Sequence, residues 1–407
     1  MVSFMNYVIF RNRDFLLYVI GQVLSELGNG LYLIAITWLL SEVTGSKGIA
    51  VGGALSIYAI GDIISGFFSG PIADNLDKKR LLMIVDSLRA SIILFLYVLY
   101  VRRSLNTLSI SVILLFLSLV TPFFSAGEFT LFPLIVERED LLQANGFITG
   151  IRKFIGVISP AVGAVIISAF GYSACFLLDV FSFLFSVTTI ILIKYRSNEK
   201  SQLQNIMKIQ RIYQTIGDGF KFIKNSPLLF RFSFFTLLIN LVTAPFELFL
   251  LLFLSRDNFG VNAYGLILSS ISFGVLFFGF LTGIIPKRYS SLQLLLYGLI
   301  LMGISTIFLG IFKALPLIII VSFFIGFGNA LTNIPLSTFL QQTIPNDKLG
   351  IVSSFIYTMA SLGAPVSLSL GGFLSDKIAP QILIIATGFL VLFLVIFGFI
   401  FLKTENS

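Results

Sequence analysis

Five acidic side chains interrupt long apolar stretches of this 407-residue sequence: Glu26, Asp62, Glu128, Asp179 and Glu247. An ionised carboxylate near the centre of a bilayer costs roughly 2.5–3.5 kcal/mol on insertion scales, so each one needs a cation, water or a proton. The sequence has no histidine and a single cysteine. Proton chemistry therefore falls to carboxylates, and we expect neither a metal site nor a bound cofactor.

Most of these carboxylates share a helical face with other polar side chains, because residues three or four positions apart lie on the same side of a helix. The stripes are Gln22, Glu26 and Asn29; Tyr58, Asp62, Ser65 and Ser69; Thr121, Ser125 and Glu128; Asn240, Thr243 and Glu247; and, without a charge, Asn329, Asn333, Ser337 and Gln341. The residues predicted to contact a substrate or a proton are Glu26, Asp62, Glu128, Glu247, Gln22, Asn29, Tyr58, Asn240 and Asn333.

A structural role is the alternative for each carboxylate, because a hydrogen bond or ion pair between helices would also satisfy it. Arg152 lies at a suitable depth to pair with Glu128. Asp179 lies on a span expected at the periphery, and we predict a structural role for it.

Apolar runs of about twenty residues recur along the chain, and each is long enough to cross a hydrocarbon core about 30 Å thick. Hydrophobic residues make up 57% of the chain and charged residues 11%, whereas soluble domains have roughly 25% charged residues. The predicted spans are 15–40, 49–73, 81–101, 107–135, 143–169, 173–193, 228–254, 263–285, 291–312, 316–341, 351–373 and 380–402. The sequence thus predicts an all-α membrane protein with about twelve transmembrane helices. The ninth and twelfth spans are almost wholly apolar, which predicts a lipid-facing or peripheral position.

A glycine register relates the two ends of the chain. Gly52, Gly61, Gly66 and Gly70 have the same spacing as Gly265, Gly274, Gly279 and Gly283. Such a repeat predicts two pseudo-symmetric six-helix halves, residues 1–195 and 228–407. The basic linker, residues 196–227, alternates cations with isoleucines, which favours an amphipathic helix along the cytoplasmic headgroups. The alternative is a solvated tether.

The net charge of +8 is explained by the orientation of the chain in the membrane rather than by nucleic-acid binding. The cations flank apolar spans and form no patch with aromatic residues. With both termini in the cytoplasm, 21 Lys and Arg residues lie inside and 6 outside. The positive-inside rule favours this arrangement. We therefore expect a multi-pass protein of the cytoplasmic (plasma) membrane.

The loop between the second and third spans carries the segment Gly70-Pro-Ile-Ala-Asp-Asn-Leu-Asp-Lys-Lys-Arg80. This segment resembles the cytoplasmic loop signature of the major facilitator superfamily. Four further stretches resemble the macrolide-efflux-type group of drug:proton antiporters. They are Asp86 to Ala90, Leu141 to Gly146, Gly219 to Ile223 and Gln341 to Gly350.

The resemblance implies a conformational latch at the loop signature, where an aspartate meets the N-terminal end of helix eleven and cations pair with acids. The implied latch residues are Gly70, Asp74, Lys78, Lys79 and Arg80, with Asp86 and Arg89 extending the network. The residues Gly156, Pro160 and Gly163 form a degenerate version of the antiporter motif of helix five. The fourth span lacks the buried arginine common in drug:proton antiporters.

Together these features predict a secondary active exporter of an amphiphilic small molecule, such as a drug, a macrolide or a siderophore. We expect exchange for protons by alternating access, in a monomer surrounded by membrane lipid. The missing arginine favours an alternative, an uncoupled facilitator or lipid translocator. A non-transporting scaffold or sensor is a third hypothesis, which the polar stripes disfavour. The sequence offers no nucleophile with a matching base, and we expect no enzyme activity.

Overall fold

The computed structural model describes residues 12–137, 139–194, 223–281, 289–345 and 349–401. Its principal elements in these ranges are all α-helices. They are α1 Arg13–Val43, α2 Gly48–Asn75, α3 Lys78–Val101, α4 Thr107–Ile135, α5 Leu141–Phe170, α6 Tyr172–Leu192, α7 Pro227–Thr243, α8 Phe246–Arg256, α9 Gly260–Leu281, α10 Ser291–Ile311, α11 Leu315–Thr343, α12 Leu349–Ser361, α13 Gly363–Ser375 and α14 Pro380–Phe401. The predicted all-α fold is confirmed. Most of the linker, residues 196–227, lies outside the described ranges.

Two of the predicted spans are interrupted, each close to a proline. A proline removes one backbone donor and its ring clashes with the carbonyl four residues earlier. Pro245 accordingly separates α7 from α8, and a turn at Leu362, three residues before Pro365, separates α12 from α13. Eleven described stretches are long and apolar enough to cross a membrane, with α7 and α8 forming one of them. The broken pair α12 and α13 supplies a further stretch, which agrees with about twelve helices.

The outward surfaces of these helices are apolar. Phe129 is 81% exposed and Phe280 is 75% exposed. Large aromatic side chains in such positions are stable in lipid, whereas a soluble protein rarely exposes so many. The chain is therefore a multi-pass membrane protein.

The described helices fall into two compact units. The first contains residues up to Leu39 together with those from Ile60 to Lys194. The second contains Leu40–Ala59 together with the described residues from Ile223 onward. The units thus follow the two halves of the sequence, except that the corner between α1 and α2 belongs to the second unit.

Two of the four glycine pairs of the register have matching surroundings in the two units. A Cβ atom on Gly61 of α2 would collide with Ser118 of α4. A Cβ atom on Gly274 of α9 would collide with the carbonyl oxygen of Phe323 on α11. At the next pair of the register, Gly66 and Gly279, an added Cβ would meet no atom within 4 Å. Small residues that let two helix backbones approach are a common device in membranes, and the chain uses it twice at matching positions.

The substitution Gly274→Ala is expected to lower the thermal unfolding temperature of the purified protein in detergent. The added methyl would press against backbone atoms of α11, including the nitrogen of Phe327 at 2.8 Å, and a backbone cannot give way like a flexible side chain. Overpacking of this kind costs about 1–3 kcal/mol. Gly279→Ala on the same helix is the matched control and is expected to be neutral. Equal unfolding temperatures for the two variants would contradict the packing described.

Candidate functional site

A cluster of charged side chains joins α1, α4 and α5 in the first unit. Arg152 lies between two carboxylates: its Nε is 3.1 Å from Oε1 of Glu26, and its Nη2 pairs with Oε1 of Glu128. The hydroxyl of Tyr18 donates to the same oxygen of Glu128. The predicted pairing of Glu128 with Arg152 is confirmed, and Glu26 joins the same cation.

Helix α1 brings Tyr18 and Glu26 to one face because they are eight residues apart, with the buried Gln22 midway between them. Glycines hold this helix close to its neighbours. Gly28 faces Ser182 of α6, and Gly30 faces Ser159 of α5, at separations that leave no room for a Cβ atom. Helix α1 therefore packs closely against α5, which carries Arg152, and against α6.

Tyr18 was not among the residues predicted from the sequence. It extends the stripe of Gln22, Glu26 and Asn29 by one helical turn, so the spacing contained the necessary signal. Its ring is 1% exposed and packs 5.6 Å from the ring of Phe132. An aromatic residue in that setting also fits an ordinary core position.

The charges of this cluster do not balance when all its members are ionised, because two carboxylates share one guanidinium. The Glu128 side chain is 14% exposed, whereas those of Glu26 and Arg152 are each 36% exposed. A proton on one carboxylate would neutralise the cluster, and Arg152 has donors to hold either acid. The arrangement can therefore take up and release one proton while remaining linked by hydrogen bonds or ion pairs. Its cation comes from α5.

Three further predicted residues of the first half lie on α1 and α2. Asn29 is partly buried on α1 and Tyr58 partly buried on α2. Asp62 of α2 is exposed, and its carboxylate makes no hydrogen bond or ion pair within the described ranges. Its role stays a prediction.

Asp86 and Arg89, predicted to extend the latch, lie in the interior of the first unit. Their side chains are almost fully buried and pair at 3.4 Å. The Arg89 guanidinium also donates to the carbonyl oxygen of Thr121 and lies over the ring of Phe124, 4.7 Å from its centroid. Asp179 is also fully buried, and its Oδ1 accepts from Ser182 at 3.4 Å. These contacts fit the structural role predicted for Asp179.

The loop signature contributes contacts at the ends of three helices. Lys78 donates to the carbonyl oxygen of Ala73 at the end of α2. Lys79 donates to the carbonyl oxygens of Ile191 and Ile193, each at 2.7 Å, and so caps the negative end of α6. Arg80 is exposed, and an added Cβ at Gly70 would meet no atom within 4 Å. The side chain of Asp74 lies outside the described part of the chain, so the latch stays a prediction.

The helix-five motif lies along α5, which contains all three of its residues. Gly163 faces the backbone of Leu31 on α1, where an added Cβ would be 3.4 Å from the Leu31 Cα. At Gly156 an added Cβ would meet no atom within 4 Å. Pro160 lies inside the helix without interrupting it.

A cavity of about 330 Å³ lies in the second unit. Its walls are formed by α7, α8, α9, α10, α11 and α14. The polar lining residues are Thr236, Asn240, Thr243, Glu247, Thr306, Asn329, Thr332, Asn333 and Thr387. The structure thus brings Asn240 and Glu247, predicted on the seventh span, and Asn333, predicted on the tenth, to one cavity.

The cavity adds an inward face to two helices that were expected to be lipid-facing or peripheral. The ninth and twelfth spans do expose large apolar side chains, such as Phe308 of α10 and Phe393 of α14, but Thr306 and Thr387 of the same helices line the cavity. Thr306 is 3% exposed and Thr387 is 5% exposed. A helix that is apolar on all sides gives no indication of which face points inward, because lipid and protein interior are equally apolar.

A second polar cluster, the corner cluster, joins the turn between α1 and α2 to α8 and α13 within the second unit. It comprises Ser46, Gly48, Ser255, Arg256 and Asp376. Asp376 accepts hydrogen bonds from the backbone of Gly48 at 2.6 Å and of Ile49 at 2.9 Å, and it pairs with Arg256 at 3.1 Å. Its carboxylate thus caps the positive end of α2. Nothing in the sequence linked these residues, since Gly48 and Asp376 are 328 positions apart.

The turn that presents this corner is built from two residues in the left-handed region. Gly45 has a φ of 61° and Ser46 a φ of 56°. Their conformation ends α1, with the backbone nitrogen of Ser46 donating to the carbonyl of Ser41 at 2.7 Å. The carbonyl of Ser46 then accepts from Arg256 at 2.7 Å, and the hydroxyls of Ser46 and Ser255 are 3.1 Å apart.

Known proteins resemble this chain over most of its length. The sequence profile of the Major Facilitator Superfamily matches residues 18–368 and 248–407. Macrolide efflux protein A of Streptococcus pyogenes is 22% identical over 91% of this chain and 92% of its own length. Multidrug efflux pump Tap of Mycolicibacterium fortuitum is 23% identical over 89% of each chain.

A solved structure shares the fold. The inward-facing state of a bacterial homologue of the iron transporter ferroportin matches with a TM-score of 0.79 at 14% identity, covering 96% of this chain and 99% of that one. At that identity the likeness concerns the fold alone. The family profile covers well over half of the sequence, and the chain therefore belongs to the major facilitator superfamily, as its loop signature predicted.

Proposed function

We propose that this protein is a secondary active exporter that moves an amphiphilic small molecule out of the cytoplasm in exchange for protons. The proposal places it in the cytoplasmic membrane with both termini inside. The printed names of the relatives, a macrolide efflux protein and a multidrug efflux pump, support export. Those names describe other proteins, and the substrate of this chain is part of the proposal.

The observation that carries proton exchange is the cluster of Glu26, Glu128 and Arg152. Two acids and one cation, within reach of each other in a bilayer-spanning unit, provide a group that gains a proton on one side and loses it on the other. Protonation of either glutamate would replace its ion pair with Arg152 by a weaker hydrogen bond. The guanidinium would then form its ion pair with the remaining carboxylate alone, which changes the contacts between α1, α4 and α5.

The corner cluster supports alternating access. By sequence, the α1–α2 corner belongs to the first predicted half, whereas Arg256 and Asp376 belong to the second. Their contacts must break if the two halves move apart at this end, and they re-form when the halves come together. Exposed or half-exposed polar pairs of this kind contribute little stability each, which suits contacts that form and break.

Transport by purified protein in proteoliposomes tests the proposal. With a pH gradient imposed, the wild type is expected to accumulate a labelled macrolide, and an ionophore that collapses the gradient should abolish accumulation. Glu26→Gln and Glu128→Gln together should remove gradient-driven accumulation while leaving downhill flux. Glu137→Gln, at an exposed acid outside the cluster, is the control and should transport normally.

Two results would overturn proton exchange. Gradient-driven accumulation that survives in the double glutamine variant would exclude the cluster as the proton carrier. Wild-type flux that is indifferent to the ionophore would favour an uncoupled facilitator or lipid translocator instead. Absence of flux for every substrate class offered would favour a scaffold or sensor.

A further inference from the structure

A second group of charged side chains lies between α3 and α6 in the first unit. Asp86 and Arg89 of α3 pair at 3.4 Å, and the guanidinium also lies over the ring of Phe183 on α6, 5.5 Å from its centroid. Asp179 is the acid that α6 contributes. Asp86 and Asp179 are each 0% exposed, and Arg89 is 4% exposed. Two carboxylates and one guanidinium would give this buried group a net charge of −1.

Asp179 is the acid without a counter-ion. Within the described ranges it takes part in no ion pair, whereas Asp86 pairs with Arg89. The Oδ1 of Asp179 is 3.4 Å from the hydroxyl of Ser182. That hydroxyl has a single proton, and it donates the proton at 2.8 Å to the backbone carbonyl oxygen of Asp179. The Oδ2 has no hydrogen-bond partner in the part of the chain that the structure describes, so an ionised carboxylate would lack a donor of its own.

The depth of Asp179 makes an unpaired charge unfavourable. It is the eighth residue of the 21-residue α6, about 11 Å along that helix at a rise of 1.5 Å per residue. A carboxylate there, without a cation, water or a donor, is strongly disfavoured. The neutral acid needs no cation, and its own hydroxyl can donate to a lone pair of Ser182. A proton on Asp179 therefore satisfies the contacts that an ionised carboxylate leaves open.

The surroundings of Asp179 enclose it without supplying a second cation. The charged and titratable side chains described around it are Asp86 and Arg89 of α3 and Cys175 of its own helix. Arg89 is the one cation among them, and it already pairs with Asp86. Helix α1 presents Gly28 here, where an added Cβ would be 2.7 Å from Oδ1 of Asp179. The backbone of α1 thus covers the carboxyl group.

We propose that Asp179 is a proton-binding site and that its proton is resident. The neutral acid stays enclosed between α1, α3 and α6, while the cluster of Glu26, Glu128 and Arg152 exchanges its proton. The structural role predicted for Asp179 then depends on this bound proton. Only the contrast with an exchanging proton rests on the proposed function, since the bound proton can be detected on protein that transports nothing.

Infrared difference spectroscopy of the purified full-length protein in detergent detects the proton directly. A neutral carboxylic acid has a C=O stretching band that a carboxylate lacks. The spectrum of the wild type minus that of Asp179→Asn, at neutral pH, should contain one such band. The band should persist when both proteins also carry Glu26→Gln and Glu128→Gln, the double glutamine variant. Labelling the side-chain carboxyl of every aspartate with ¹³C should shift it, which excludes the glutamates as its source.

Thermal unfolding distinguishes the two aspartates. Asn has the shape of a neutral Asp, so Asp179→Asn should unfold near the wild-type temperature. Asp86→Asn is the matched variant, and it leaves Arg89 buried without its ion pair. Breaking a buried ion pair by removing one partner is strongly destabilising. The unfolding temperature of Asp86→Asn should therefore fall by several degrees.

Enclosure by α1 predicts slow exchange of the proton. After transfer to D₂O, the Asp179 band should shift at least about tenfold more slowly than the neutral-acid band that the double glutamine variant loses, because exchange requires a local opening. Gly28→Ala adds a methyl group that presses against Asp179 and Ser182, and it should accelerate the exchange. Gly150→Ala on α5 is the control, since an added Cβ there would meet no atom within 4 Å.

Each measurement has an outcome that would overturn the inference. Absence of the band from the spectrum of the wild type minus Asp179→Asn would exclude the bound proton. Destabilisation by Asp179→Asn but not by Asp86→Asn would place the proton on Asp86 instead. Exchange as fast as that of the cluster would exclude a resident proton. If Asp179→Asn failed to fold, a wild-type spectrum without a ¹³C-sensitive neutral-acid band would still contradict the proposal. Failure of proton-driven transport would leave the band unchanged, so the two proposals fail separately.

Discussion

The double substitution Ser46→Cys with Ser255→Cys is expected to stop transport when its two thiols are oxidised. The hydroxyl oxygens of the native pair are 3.1 Å apart, so small side-chain rotations bring two sulfur atoms to the bonding distance of about 2.05 Å. The disulfide would fix the α1–α2 corner to α8. In the proposed alternating-access cycle these elements would separate, and we therefore expect a covalent link to reduce turnover to background.

The pair Ser41→Cys with Ser46→Cys is a matched control. Those hydroxyls are 3.0 Å apart, but both lie on the α1–α2 corner, so their disulfide would not bridge to α8. Oxidation should leave this variant active. The native Cys175 is buried, and single variants exclude its participation. Dithiothreitol should restore transport to the bridged variant.

Flux that persists in the quantitatively oxidised Ser46→Cys and Ser255→Cys variant would contradict a corner that opens during transport. Mass spectrometry of the proteolysed protein would establish the extent of the bond. In the proposed mechanism, downhill flux requires the same opening of the corner as gradient-driven transport. Downhill flux of the oxidised variant therefore tests the corner independently of the proton carrier.

The sequence predicted much of the first unit's site because its members lie on helices with regular polar stripes. Glu26 and Glu128 stood out as charges inside apolar spans, and Arg152 was a cation at a suitable depth to pair with Glu128. Helical periodicity shows which polar residues share one face of a helix. A carboxylate inside the membrane needs a counter-ion, and this need indicates which cation pairs with it. Spacing also suggested the glycine register, of which Gly61 and Gly274 each lie close to a neighbouring helix.

The second unit was less predictable for a physical reason. Its cavity depends on which sides of α10 and α14 face inward, and hydrophobicity cannot distinguish an inward face from a lipid-facing one. Only Thr306 and Thr387 indicate the inward side, and threonine alone is a weak signal since its hydroxyl commonly bonds its own helix. Both do so here, Thr306 to Met302 and Thr387 to Leu383.

The corner cluster was unpredictable for another reason. Its contacts depend on how the end of α13 meets the start of α2, and no local pattern records a pairing between segments so distant in the chain. Gly48 directly precedes the predicted span 49–73, and Asp376 lies between the predicted spans 351–373 and 380–402. The helix cap that they form is visible only in the three-dimensional arrangement of α2 and α13.

Removal of the shared cation is expected to have the largest effect on the first unit. Arg152→Met leaves Glu26 and Glu128 facing each other without a guanidinium, with Glu128 only 14% exposed. Loss of one partner of a buried charged contact costs about 1–3 kcal/mol for the group left behind. The thermal unfolding temperature in detergent should fall by several degrees, and gradient-driven accumulation should be lost.

A neutral version of the same cluster distinguishes its effect on the stability of the protein from its effect on proton exchange. The triple substitution Arg152→Met, Glu26→Gln and Glu128→Gln removes the cation together with both acids and keeps side chains of similar length. Replacing a complete charged network by neutral groups is often neutral or stabilising, whereas breaking it is costly. The triple variant should therefore unfold near the wild-type temperature and still fail to use the pH gradient. If Arg152→Met unfolded like the wild type, the cluster would not stabilise the packing of these helices. If the triple variant accumulated substrate against its gradient, the cluster would not carry the proton.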